Sequence, residues 1–315
     1  MYLNAFAHDG APLDMTGLEE FKSLLSSAAD LSIPHSPNIA YQSHNIVLRR
    51  QRFHFLEWGA PDAPPIVLLH GGHQSAHSWD LVSLHLARKY RVFALDQRGH
   101  GDSEWSRDAN YSNNEMSLDA EALMDALELE RPILMGHSMG GRNSLLLTRR
   151  DPSRLGGLVV VDIGPEISEE GRKLISAFVR NNEEFDNLEH FAENVRKYDP
   201  YRSMEHIERT VKYNMLCRAD GKYISKCDST PRRVGIQTGS SEDAVSLDDA
   251  RAFDIPTLIV RGETSKILTP ESAVRFKDAL PQGELVTVPE CGHNVHSQNT
   301  HGFIEAIGPF LAKLT

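Results

Sequence analysis

From Asn45 the chain alternates apolar and polar side chains through NIVLRRQRFHFLEWG, the period-two pattern of a hairpin with one buried face. PPIVLLHGG follows as a short continuous apolar run ending in a glycine turn, the pattern of a strand buried on both faces. Strand and helix signals then take turns. YRVFALDQRGHGDS (90–103) reads as strand then loop, and Met116, Ala120, Leu123 and Leu127 recur at helical spacing. RPILMGHSMGG is another strand and turn, a helix spans about 139–150, and GGLVVVDIGP (156–165) is again a strand. Repeated strand–helix–strand units predict an α/β fold with a mainly parallel sheet covered by helices on both faces.

Residues 166–247 break the rhythm: SEEGRKLISAFVRNNEEF, HFAENVRKY and MEHIERTVKYNML carry charge and helical period, with no strongly buried strand. They predict an inserted helical cap. Alternation resumes with DIPTLIVRG, a helix over about 270–280, GELVTVPECGH and a last helix near 299–313. The expected organisation is an N-terminal arm (1–44, with a short helix in 16–31), a first core part (45–165), the cap (166–247) and a second core part (248–315).

Composition narrows the function. The net charge of −11 lacks the basic footprint a nucleic-acid partner needs. No apolar run of about eighteen residues is present to span a membrane. The first fifteen residues have neither a basic n-region nor a continuous apolar stretch, so a cytoplasmic location is expected. Cys217, Cys227 and Cys291 are odd in number and lack metal-type spacing, which suits free thiols in a reducing compartment.

GHSMG (136–140) places Ser138 in a G-x-S-x-G pattern between an apolar strand and a helix, the setting in which that pattern carries chemistry. A serine on such a turn projects its hydroxyl into a cleft, and the following helix aims its first N–H groups at developing negative charge. HGGHQ (70–74) ends an earlier strand at the same sheet edge, so the N–H groups of His73 and Met139 are the expected oxyanion hole. His70, His73 and His77 lie close in sequence, but no cysteine or carboxylate completes a tetrahedral set, and no metal or other cofactor is expected. VPECGHNVHS puts His293 in a loop past a late strand, where an imidazole would serve as the base. His296 is expected to line the cleft or face solvent.

HGG, DQRGHGDS (96–103), GHSMGG (136–141) and CGH (291–293) stand in the order and spacing of the α/β-hydrolase superfamily, which residues 45–315 resemble. Within it the chain looks like the capped branch with an element of the form DG-x-x-x-x-K-x-D, here DGKYISKCD (220–228). The resemblance implies an eight-stranded sheet, a Ser/acid/His triad and a cleft beneath the cap. Because the nucleophile position holds Ser138 rather than an aspartate, the chain departs from the dehalogenase and epoxide hydrolase members.

In many superfamily members the acid stands in a G-x-x-D turn, but RGETSKIL (261–268) has Ser265 there. Glu263 is a substitute two positions early. Asp162 ends the strand after the nucleophile's helix, 24 residues beyond Ser138, and matches members whose acid follows that earlier strand. Asp162 is the leading acid and Glu263 the second candidate. Lys266 falls near the cleft entrance, where a cation could attract anionic substrates. In DQRGHGDS, Asp96, Arg98 and Asp102 are expected to brace loops rather than react.

These residues describe a serine hydrolase of a small-molecule ester, thioester or amide, using Ser138, His293 and Asp162. The same constellation serves hydrolysis of a C–C bond in a diketone, and the same fold serves as a non-catalytic ligand receptor. A structural role, with the first 44 residues docking a partner, is a third class. A small-molecule substrate is the expected partner, with no nucleic acid and no membrane; assembly into a homo-oligomer is left open.

Overall fold

The computed structural model describes residues 13–14, 18–39, 41–180, 184–229 and 244–314, with backbone alone for 13–14 and 175–180. The expectations placed on the first twelve residues and on 230–243 lie outside the described residues.

A nine-stranded sheet organises the described residues. Its antiparallel edge comprises β1 (Leu13–Asp14), β2 (Tyr41–Leu48) and β3 (Gln51–Trp58). Its parallel body runs, in spatial order, β5 (Arg91–Leu95), β4 (Pro65–Leu69), β6 (Ile133–His137), β7 (Gly157–Val161), β11 (Thr257–Gly262) and β12 (Gly283–Val288). The two-residue β1 adds one strand to the eight expected, because the arm folds back and pairs Leu13 with Ser43. The β2–β3 hairpin turns through Arg49 and Arg50, both at positive φ (49° and 68°), where asparagine and glycine are the usual choice. Arg49 is held there by ion pairs to Glu115 (2.7 Å) and Asp119 (2.8 Å).

Alternation along each buried strand feeds two apolar layers. Ile66 and Leu68 enter one cluster, Val67 and Leu69 the other. The first layer takes in α1 (Glu19–Asp30), α2 (Asp80–Leu86) and α11 (Thr300–Leu311). The second is covered by α3 (Asn113–Ala126), α4 (Met139–Arg150) and α9 (Pro270–Ala279). Helix α1 is part of this core rather than a separate arm. Phe21 and Leu24 are buried, and the Phe21 ring sits 5.7 Å from that of Tyr41 and 6.4 Å from that of Trp58. The hairpin correspondingly starts at Tyr41, four residues before the expected boundary at 45.

Between β7 and β11 the chain forms α5 (Glu169–Arg180), α6 (Leu188–Tyr198) and α7 (Met204–Val211). It also forms a three-stranded antiparallel sheet from β8 (Glu184–Phe185), β9 (Met215–Cys217) and β10 (Tyr223–Ser225), which the helical period had concealed. Two- and three-residue strands are too short to show alternation. Phe185, Phe191, Ile207, Val211 and Met215 give the insert its own small core. DGKYISKCD fastens the insert to the DQRGHGDS loop. Lys226 Nζ meets Asp102 Oδ1 at 2.6 Å, and Asp228 N–H donates to Gly99 O at 2.9 Å. Remaining within the core, Arg98 forks onto both oxygens of Asp119 at 2.7 and 2.9 Å. A short α8 (Leu247–Ala250) and α10 (Val295–Gln298) complete the described α-helices.

Candidate active site

Parallel register brings the carboxyl ends of four strands to one edge, the location at which open α/β sheets bind ligands. Leu69 pairs with Gly136, His137 with Val161, and Val161 with Val260. The residues just beyond those ends are therefore neighbours although distant in sequence. Ser138 N–H donates to Val161 O (3.1 Å) and Asp162 N–H to Val260 O (2.8 Å), so two of the three candidate residues are anchored to the adjacent strand.

Ser138 occupies φ 51°, ψ −111°, a strained conformation for a side-chain-bearing residue. Close contact across the turn makes glycine obligatory nearby: a Cβ on Gly140 would lie 2.3 Å from Leu69 O. Without one, Gly140 N–H donates to His70 O at 3.1 Å and draws the nucleophile turn against the β4 loop. Met139 begins α4, so its N–H has no intrahelical acceptor. His73, at φ 61°, lines the same cavity as Ser138 and Met139.

His293 Nε2 lies 2.9 Å from Ser138 Oγ, and its Nδ1 lies 2.8 Å from Asp162 Oδ2. Asp162 is fully buried while the His293 side chain is 23 % exposed, so the imidazole bridges protein interior and cavity. Asp162 also sits at positive φ (53°). Its Oδ1 accepts from Gly262 N–H at 3.0 Å, and its Oδ2 accepts from the Ser265 hydroxyl. The carboxylate that meets His293 is thus Asp162's. Glu263 turns instead to the base loop, where its Oε2 accepts from Glu290 N–H at 3.1 Å.

RGETSKIL consequently holds both partners. Ser265 and Gly262 supply donors to Asp162, and Thr264 N–H and its hydroxyl both donate to Cys291 O at 3.0 Å, two residues before His293. His137 adds a further restraint that sequence reasoning missed: its Nε2–H donates to His293 O at 2.9 Å. Its place beside Ser138 in GHSMG was the available signal.

The other histidines are structural. His70 Nδ1–H donates to Gly71 O at 2.8 Å while its Nε2 accepts from Gln97 N–H at 3.0 Å. Burial, reinforced by His100, pushes its pKa down to about 4. His77 lies 3.1 Å from Asp80. His296 is buried rather than exposed and stacks on Trp79 with ring centroids 4.0 Å apart. Burial, then the Arg202 charge, push it down to about 3. His54, Asp96 and Asp102 form the compact metal-type group among the described residues. Asp96 there already accepts from Ala76 N–H (2.6 Å), Asp102 N–H (2.8 Å) and His54 (2.7 Å). Burial alone would raise the Asp96 pKa, but the His54 bond and charge and the backbone donors hold it well below the carboxylate range.

A cavity of about 840 Å³ opens over Ser138 and His293. The β4 loop, α4, the base loop and the insert all contribute to its wall, the insert through Leu174, Phe191, Val195, Tyr198 and Tyr201.

The sheet order, the Ser138 turn and the late histidine define an enzyme of the α/β-hydrolase class, and the chain belongs to the alpha/beta hydrolase fold family, whose model matches residues 64–300. Esterase Rv0045c of Mycobacterium tuberculosis is 28 % identical over 305 residues, covering 93 % of this chain and 96 % of that protein. A crystal structure of it superposes with a TM-score of 0.75 over 94 % of this chain and 99 % of that one, at 26 % identity. The sn-1-specific diacylglycerol lipase ABHD11 of Mus musculus is 28 % identical, covering 81 % of this chain and 83 % of the lipase. In fold, a crystal structure of E-2-(acetamidomethylene)succinate hydrolase is also similar (TM-score 0.78, 24 % identity, 86 % of this chain and 99 % of that one). No helix among the described residues is long and apolar enough to cross a membrane.

Proposed function

We propose that the protein is a serine hydrolase of small-molecule esters, thioesters or amides that works through an acyl-enzyme. The observation that carries this reading is the unbroken chain of contacts from Asp162 through His293 to Ser138 Oγ at the head of a large cavity. Ser138 Oγ attacks the acyl carbon while its proton passes to His293 Nε2. Asp162 keeps the other ring proton on Nδ1 and stabilises the imidazolium as it forms. The N–H groups of Met139 and His73 receive the negative charge on the tetrahedral intermediate. His293 then returns the proton to the leaving group, and water, activated by the same base, releases the acid and restores Ser138. The insert acts as a cap that walls off this chemistry, and the names of the esterase and lipase relatives agree with the bond type.

Labelling with a fluorophosphonate probe tests the proposal. Wild type is expected to react and to turn over p-nitrophenyl butyrate, and Ser138→Ala to do neither. Absence of labelling and of ester or amide turnover in wild type would refute the reading, and turnover confined to a diketone would reassign the bond.

A further inference from the structure

The cavity wall reverses the electrostatics of the chain. The protein carries a net charge of −11, yet among the described residues four cationic side chains, Arg142, Arg172, Arg202 and Lys266, line the cavity against one carboxylate, Asp199. Asp199 is engaged by Arg202, whose Nε donates to its Oδ2 at 2.6 Å. Among the described residues of the wall, Arg142, Arg172 and Lys266 have no carboxylate to compensate them. Arg142 stands four residues beyond Ser138. Its N–H donates to Ser138 O at 3.0 Å, so its guanidinium rides one helical turn beyond the nucleophile and opens into the same cavity.

Other buried arginines in the fold have acceptors. Arg98 is forked onto Asp119, Arg209 reaches Asp80 at 3.1 Å, and Arg261 donates to Leu268 O at 2.9 Å. Arg142 is partly buried and its guanidinium has no hydrogen bond or ion pair among the described residues. Burial, with repulsion from Arg172 added to it, lowers its pKa, the opposite of what a carboxylate neighbour would do. Five N–H donors on a permanent charge, partly withdrawn from water and beside a second cation, form an unfavourable arrangement. A carboxylate delivered by a ligand would relieve it, since a guanidinium receives the two oxygens in a fork.

We infer that Arg142, with Arg172 beside it, binds a carboxylate of the substrate, so that the protein hydrolyses small acidic esters or amides. The inference rests on the serine-hydrolase reading. One helical turn, about 5.4 Å of rise, separates the two functions along α4, which places the carboxylate a few bonds from the scissile acyl group. Ile163, Leu174, Phe191 and Val195 provide the apolar wall for the short carbon body between them.

The test compares kcat/KM for mono-p-nitrophenyl glutarate with that for p-nitrophenyl hexanoate, a neutral ester of similar length, at low ionic strength. A second arm moves the carboxylate to the leaving group, pairing 4-(butyryloxy)butanoate with butyl butyrate. Wild type is expected to favour the acidic member of at least one pair tenfold or more. Arg142→Gln is expected to lower that acidic-to-neutral ratio at least tenfold, and Arg142→Lys to fall between. Preference for the neutral ester in both arms, or the same ratio in Arg142→Gln as in wild type, would overturn the inference. Titration calorimetry with glutarate needs no turnover: binding that weakens about tenfold in Arg142→Gln supports the site, and no binding or equal binding by both proteins counts against it. Failure of the hydrolase reading would instead appear as loss of Ser138 labelling with Arg142-dependent glutarate binding intact.

Discussion

Replacing Asp162 by Asn exchanges one carboxylate oxygen for an NH2 group in a fully buried site and decides where the proton on His293 resides. In the wild type both carboxylate oxygens accept: Oδ1 from Gly262 N–H at 3.0 Å, Oδ2 from the Ser265 hydroxyl and, at 2.8 Å, from His293 Nδ1. An amide has one accepting end. If its oxygen faces Gly262, its NH2 faces His293, Nδ1 must accept, and the ring proton moves to Nε2, 2.9 Å from Ser138 Oγ. The imidazole then donates to the nucleophile it should deprotonate. If the amide is flipped, its NH2 opposes the Gly262 N–H inside the protein, which costs about 1–3 kcal/mol. The unproductive tautomer is therefore favoured by roughly 5- to 150-fold from this contact alone. Lost stabilisation of the imidazolium adds to it, and the expected fall in kcat is about 10⁴, or about 5.5 kcal/mol at about 1.36 kcal/mol per decade. The assay is steady-state hydrolysis of p-nitrophenyl butyrate by Asp162→Asn and Glu263→Gln, with Ser138→Ala as the floor and circular dichroism to check folding. Turnover by Asp162→Asn within tenfold of wild type, with the loss appearing in Glu263→Gln, would refute the assignment of the acid.

The short contact between Ser265 and Asp162 leads to a rescue experiment. An aspartate at 265 reaches about one bond further than serine, towards the position of Asp162 Oδ2, so adding Ser265→Asp to Asp162→Asn should recover at least about tenfold in kcat; no recovery would show that the two turns are not interchangeable. A second prediction concerns acid stability. His70 and His296 are held at about 4 and about 3 in the folded protein, below the unfolded value near 6.5, so the unfolded chain binds more protons from about pH 6.5 downward and stability falls with pH. Each contributes a loss of about 1.4 kcal/mol per pH unit, or about 2 kcal/mol between pH 6.5 and 5. Urea denaturation at pH 7.5 and 5.0 should show this, with a smaller loss in His296→Leu, whose wild-type ring nitrogens have no hydrogen-bond partner among the described residues; an equal loss in the variant would exclude His296 as a source.

Period-two and period-3.6 patterns were enough to read the parallel sheet and the helices of the core, because a strand buried on both faces reads as a near-continuous apolar run, as in PIVLL and GLVVV. Local chemistry was equally legible. A serine between glycines at a strand-to-helix turn needs no distant partner to be recognised, nor does a histidine in a loop past a late strand. Legibility ended where residues far apart in sequence had to be neighbours. The three short strands of the insert carry too few residues for a period, and α1 joins the core only because Phe21 finds Tyr41 and Trp58.

The acid marks the same division. Sequence alone established that RGETSKIL has no aspartate at its fourth turn position and that carboxylates stand at 162 and 263. Which carboxylate reaches His293 is a matter of register: β7 lies between β6 and β11, so a residue just past Val161 sits between the nucleophile's strand and the Ser265 turn. The fold turns Glu263 towards Glu290 and makes Ser265 a donor to Asp162. Arg142 belongs with it, since an arginine in GHSMGGR looks like any helix residue until the packing shows its guanidinium without an ion pair among the described residues. Side-chain direction and the absence of a partner are properties of three-dimensional contact, and only the tertiary structure decides them.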